Sequence, residues 1–150
     1  MSFVTLNDVI SFAVKSEETA YQLYKNAAAL STSIAAKKMF DEMAAEEAGH
    51  KEVFGQMNVE RAEQYRAIRI SDMQIGKYLV EVPLKPNMTY QEILTYAIKA
   101  EESAYQLYSA AAESVDDPKL KKVLTVFADV EKGHKIKVEK LYDDHVLTEN

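Results

Sequence analysis

Apolar residues recur along this chain at steps of three and four, the spacing of one face of an α-helix. Leu6, Ile10, Ala13, Ala20, Tyr24 and Ala28 share one such face, and the pattern predicts a helix from Thr5 to about Leu30. Thr5-x-x-Asp8 resembles a capping box at its start, with Asp in place of the usual Glu or Gln. Ser31-Thr32-Ser33 reads as a turn, with Ser33 placed to cap a second helix from Ile34 to about Gln64. That helix carries the line Phe40, Met43, Phe54. From Tyr65 to Met88 the helical period decays, and Pro83 and Pro86 prevent a regular helix. Ile68 to Ser71 and Tyr78 to Val82 look partly extended. Thr89-x-x-Glu92 is a capping box that opens a third helix to about Ser114, with Ile93 or Leu94, Ala97, Ala104 and Tyr108 on its face. Asp117 then caps a fourth helix with Pro118 at its first position. Leu124, Phe127, Val138 and Leu141 form its stripe to about Tyr142, and the polar end from Asp143 to Asn150 reads as frayed.

All four apolar stripes are interrupted by charge. Glu17 falls in the first, Glu47 and His50 in the second, Glu101 in the third, and Glu131 and His134 in the fourth. The interruptions repeat at one offset. Residues 17, 47 and 50 recur as 101, 131 and 134, each 84 positions on. Ala13 to Tyr24 aligns at that offset with Ala97 to Tyr108, nine of twelve residues being identical. Caps, core and charged positions share the offset without a gap, so the chain reads as a duplicated helical hairpin. The halves are hairpin 1, about 5–64, and hairpin 2, about 89–142, joined by a crossover over about 65–88. Two helices of ~25 residues are each roughly 38 Å long, and a connector of this length can run from one end of a bundle to the other. Parallel neighbours require such a crossover. The expectation is one all-α domain, a four-helix bundle with a long crossover between helices 2 and 3.

Composition narrows the chemistry. With 150 residues, 47% hydrophobic and 28% charged, the chain suits one globular domain with a real core. It has no cysteine, which excludes disulfides, thiolate zinc sites, iron–sulfur clusters and cysteine nucleophiles. A net charge of −6 with no basic stripe argues against nucleic acid. No apolar run approaches a membrane span, and no leader pattern opens the chain, so a cytoplasmic, soluble protein is expected.

On a helix, Glu-x-x-His aims a carboxylate and an imidazole at one point. One such pair is a weak signal. Two in register with core stripes, each preceded by a core-phase Glu, match the pattern of di-iron and di-manganese bundles. Four carboxylates in one apolar core would repel and lose their hydration, and two divalent cations offset them. Oxygen and imidazole donors without thiolate suit Fe, Mn or Zn. The candidate ligands are therefore Glu17, Glu47, His50, Glu101, Glu131 and His134. A helical phase wrong by one residue would put Glu18 and Glu102 in place of Glu17 and Glu101, and His50 and His134 could be ordinary core-edge histidines. Tyr24 and Tyr108 read either as core packing or as donors to ligand carboxylates. Gly49 and Gly133, inside both motifs, suggest a close helix approach. His145 reads as solvated.

Through Ala13-x-x-x-Glu17 with Tyr24, Glu47-x-x-His50, Ala97-x-x-x-Glu101 with Tyr108, and Glu131-x-x-His134, the chain resembles the ferritin-like superfamily, and within it the rubrerythrin-like di-iron proteins. The resemblance covers nearly the whole chain. It implies a ferritin-like bundle holding two Fe ions, with Glu17 and Glu101 as terminal ligands, Glu47 and Glu131 as bridges, and His50 and His134 on one metal each. It implies reduction of peroxide or dioxygen with electrons from an external donor protein, and a homodimer. Ferroxidase activity with iron storage or delivery is the alternative, and a bundle whose metal is only structural is a third reading. The chain departs from typical rubrerythrins in two ways. It lacks the four cysteines of a rubredoxin domain, and Ala104 stands where their extra carboxylate falls, so the metal shift which that carboxylate permits is not implied here.

Overall fold

A computed structural model describes the backbone of residues 4–66, 69–70 and 84–149, and the side chains of residues 5–57 and 84–146. A two-residue strand, β1 (Val4–Thr5), leads into α1 (Leu6–Leu30), and α2 (Ile34–Arg66) follows. After β2 (Arg69–Ile70), which pairs antiparallel with β1, come α3 (Tyr90–Ser114) and α4 (Pro118–Glu149). The extended reading over Ile68 to Ser71 is met at Arg69 and Ile70. The rest of it, and most of the crossover, lie outside the described residues.

The caps form as the sequence dictates. Thr5 Oγ1 accepts from Asp8 N at 3.1 Å while Asp8 Oδ2 accepts from Thr5 N at 3.0 Å. Thr89 and Glu92 make the same reciprocal pair, both bonds at 3.1 Å. Ser33 Oγ accepts from Ala36 N, and Asp117 Oδ1 from Lys119 N with Pro118 at the first helical position. Asn87, with φ at 59°, turns the chain into Thr89; Asn tolerates that left-handed conformation better than most residues.

Side-chain pairs fix the helix directions. Lys51 reaches Glu18 and Lys25 reaches Asp41, so α1 and α2 run antiparallel. Lys135 on Glu102 and Lys121 on the Ala112 carbonyl set α3 against α4 in the same sense. Tyr24 to Glu101 and Tyr108 to Glu17 make α1 and α3 antiparallel. Hence α2 and α3 are parallel, and the end of one and the start of the other lie at opposite ends of the bundle. The buried apolar residues fall into two clusters. One holds Leu6, Ile10, Phe54, Tyr108 and Leu124, the other Leu23, Tyr24, Phe40, Met43 and Leu94. The six charged side chains are buried as well.

Two expectations change. The fourth helix continues past Tyr142 to Glu149. No breaker interrupts it, and His145 is half-buried with its ring edge-on to Tyr90, 5.2 Å between centroids, rather than solvated. Gly49 and Gly133 do not mark a close approach, because a Cβ at either would meet nothing within 4 Å. Both are helical with negative φ. Gly49→Ala and Gly133→Ala are therefore each expected to stabilise the fold by about 0.5–1 kcal/mol, read as a rise in melting temperature of a few degrees. A fall in melting temperature for either would mean that the space beside that helix is filled in solution.

Candidate metal centre

Each of the six charged residues sits where an apolar side chain would continue its helix's stripe, so burying the stripe buries the charge. All are at most 7% exposed. They form two groups of four whose donor atoms lie within 4.8 Å of one another. One group is Glu17, Glu47, His50 and Glu131, and the other is Glu47, Glu101, Glu131 and His134. Glu47 and Glu131 belong to both. Donors on opposite sides of one first-row divalent ion are about 4 Å apart, so each group has the span of a single coordination sphere.

The arrangement is nearly two-fold. His50 Nδ1 lies 3.0 Å from Glu131 Oε1 and 3.5 Å from Glu17 Oε1. His134 Nδ1 lies 2.8 Å from Glu47 Oε1 and 3.6 Å from Glu101 Oε1. Each histidine thus reaches the paired carboxylate of the other hairpin and the lone carboxylate of its own. Tyr108 Oη donates to Glu17 at 2.7 Å, and Tyr24 Oη donates to Glu101. Both tyrosines pack in the core and donate as well, so the two readings of them are compatible. Glu18 and Glu102 are half-exposed and pair with Lys51 and Lys135, which settles the helical phase in favour of Glu17 and Glu101 at the centre.

The electrostatics of the bare site are unfavourable. Burial, then the neighbouring carboxylates, push Glu47 and Glu131 well above the ordinary range. Burial also raises Glu101, but hydrogen bonds from Glu131 and Tyr24 hold it to about 7. For His50, burial disfavours the charged ring, yet its contacts with Glu131 and Glu17 outweigh that and lift it to about 9. Burial first and then the carboxylates raise Tyr24 and Tyr108 well above 10, so both stay protonated and keep the hydrogen that each donates to the acid it faces. Several buried polar atoms have no hydrogen-bond partner: Glu17 Oε2, Glu47 Oε1, Glu101 Oε2 and His134 Nδ1. The last pairing is informative. His134 Nδ1 and Glu47 Oε1 are only 2.8 Å apart yet are not aligned as a hydrogen bond. Such atoms are aimed at a common point, which is the geometry a cation would satisfy. The residues present fit a pair of divalent ions.

A cavity of about 40 Å³ opens onto this centre between α1 and α3. Ser16, Thr19, Ala20, Tyr96, Ala100 and Ala104 line it together with Glu17, Glu47, Glu101 and Glu131. One residue escaped the sequence reading. Glu46 lies off the core stripe, as its phase predicts, yet its Oε2 lies 3.2 Å from His134 Nε2. The available signal was that Glu46 breaks the repeat, since Val130 occupies the matching position.

The bundle and its buried carboxylate–histidine layer define a ferritin-like protein. The chain belongs to the rubrerythrin family, whose family model matches residues 8–85 and 92–150. A crystal structure described as that of a ferritin-like diiron-carboxylate protein from Thermotoga maritima superposes with a TM-score of 0.78 at 20% identity, over 97% of this chain and 99% of that one. A hypothetical protein from Pyrococcus furiosus superposes at 0.71 with 23% identity, over 93% and 89%. Both are likenesses of fold. No curated protein sequence matches the chain.

Proposed function

We propose that this protein is a non-haem di-iron oxidoreductase of the rubrerythrin type, which reduces peroxide or dioxygen with electrons from an external donor protein. The observation that carries this reading is the sharing of Glu47 and Glu131 between two four-residue donor groups. Glu47 and Glu131 would serve both ions, and a pair of ions held by shared carboxylates would be suited to acting on one small molecule together. Glu17 and His50 would complete one ion's set, and Glu101 and His134 the other's. Iron bound there would supply two electrons and a Lewis acid at the O–O bond. Iron is favoured over manganese or zinc by the family and by the diiron-carboxylate description of the Thermotoga maritima neighbour.

The chain's own residues set the rest. Tyr24 and Tyr108 hold the outer carboxylates in place, and the apolar clusters keep bulk water away from the centre. The cavity between α1 and α3 has room for a molecule of peroxide size and excludes bulky organic substrates. No cysteine is present to hold an iron–thiolate relay within this chain, so the electrons must arrive from outside it. Among the described residues no helix is long and apolar enough to cross a membrane. A cytoplasmic homodimer is part of the proposal.

The test is anaerobic loading with Fe(II), followed by stepwise addition of hydrogen peroxide. Reduction of one peroxide to two waters consumes two electrons and two protons, so one equivalent per chain should oxidise both irons. A chemical reductant should then restore the ferrous state for repeated rounds. Oxidation of many Fe(II) per chain, with the product retained in a large particle, would replace this reading with iron storage. Absence of any oxidation would leave a structural metal.

A further inference from the structure

The duplicated halves contribute matching residues to the two four-residue donor groups but place different groups behind the two histidines. His134 Nε2–H donates to Glu46 Oε2 at 3.2 Å. Eighty-four residues on, Val130 takes the place of Glu46, and among the described residues no carboxylate reaches His50 Nε2. The His50 ring stacks instead on Phe127, with centroids 4.0 Å apart and planes 24° apart, where the first hairpin has Met43. One imidazole is backed by a carboxylate and the other by an aromatic ring.

We propose that Glu46 is a positioning residue that makes the two metal positions inequivalent. The Glu101–His134 position is the tighter one and fills first, and the Glu17–His50 position is the weaker and more labile one. This rests on the di-metal reading above. A carboxylate on the outer nitrogen fixes the proton there, which leaves the Nδ1 lone pair for a metal. It also holds the ring's orientation and makes the donor nitrogen more basic, and removing such a partner typically costs 10–100-fold in affinity. A stacked ring fixes orientation without that electronic effect. The carboxylate of Glu46 is about half exposed, with 45% of its side-chain surface accessible, so its replacement does not open the core.

The experiment is a calorimetric titration of the metal-free protein with Mn(II), in the wild type, Glu46→Val, Glu46→Gln, Val130→Glu and Glu18→Gln. Glu46→Val should weaken the first binding step 10–100-fold and leave the second within about threefold. Glu46→Gln, which keeps an acceptor for Nε2–H, should recover part of that loss. Val130→Glu should tighten the second step. Glu18→Gln removes a half-exposed carboxylate that faces Lys51 rather than a histidine, and should leave both steps unchanged. Equal losses in Glu46→Val and Glu18→Gln would reduce the effect to general surface charge and overturn the proposal. An unchanged first step in Glu46→Val would overturn it too. Two ions bound in every variant with the same affinities would leave the di-metal reading standing and this inference refuted. No Mn(II) uptake by the wild type would remove both.

Discussion

Alanine at Glu47 or Glu131 is expected to abolish binding of both metal ions, not one. Each of these residues belongs to both donor groups, so its loss strips two coordination spheres at once. Glu17→Ala or Glu101→Ala removes a donor from one group only and should leave about one ion per chain. The same account predicts an inverse effect on the metal-free fold. There, Glu47 is a buried acid pressed by Glu17, Glu131 and Glu101, a liability in the absence of a cation. Glu47→Gln should therefore melt higher than the metal-free wild type at pH 8, even though it binds no metal pair. Retention of two metals in Glu47→Ala, measured by elemental analysis after dialysis, would contradict the ligand assignment.

The second large effect is on pH dependence. In the metal-free protein Glu101 is carried from an ordinary 4.5 to about 7, and Glu47 and Glu131 are raised further, all first by burial. A folded state that holds protons more tightly than the unfolded chain loses stability as pH rises. For these acids the loss begins above about 4.5 and grows until the folded-state value is passed. For Glu101 alone it is on the order of 3 kcal/mol. His50, raised to about 9, acts in the same direction: its contribution is complete below about 6.5 and vanishes as pH climbs through 9. Metal-free protein should thus melt at least about 10 °C lower at pH 9 than at pH 5.5, taking ~2–4 °C per kcal/mol for a chain of this size. Loaded protein should show the opposite trend over the acid range, because protons compete with metal for the same oxygens. A metal-free melting curve that is flat with pH would mean that the acids are not buried in solution.

Much of this centre was legible in the sequence because burial and chemistry coincide there. Glu17, Glu47, Glu101 and Glu131 interrupt apolar stripes, and a stripe fixes helical phase to within one residue. The repeat at 84 residues then pairs the hairpins, and the pairing brings the interruptions to one level. Tyr24 and Tyr108 were legible as core residues and as possible donors, but not which carboxylate each would meet, since each bonds one from the other hairpin, and no periodicity within one helix reports that contact. Glu46 was missed for the same reason. Its partner, His134, stands on a helix 88 positions away, and its own phase points out of the core. The two glycines misled because a glycine inside a helix has two meanings, close approach or mere tolerance, and only the space around it separates them. The polar end of α4 reads as frayed, yet the helix runs on to Glu149 because no breaker interrupts it, and His145 packs on Tyr90.

Metal content of gently purified protein, by elemental mass spectrometry, tests the central claim most directly. The account predicts two iron atoms per chain, or uptake of two when Fe(II) is added anaerobically. Well under one metal per chain, with no uptake on adding Fe(II), would contradict it and leave a helical bundle whose buried acids serve no metal.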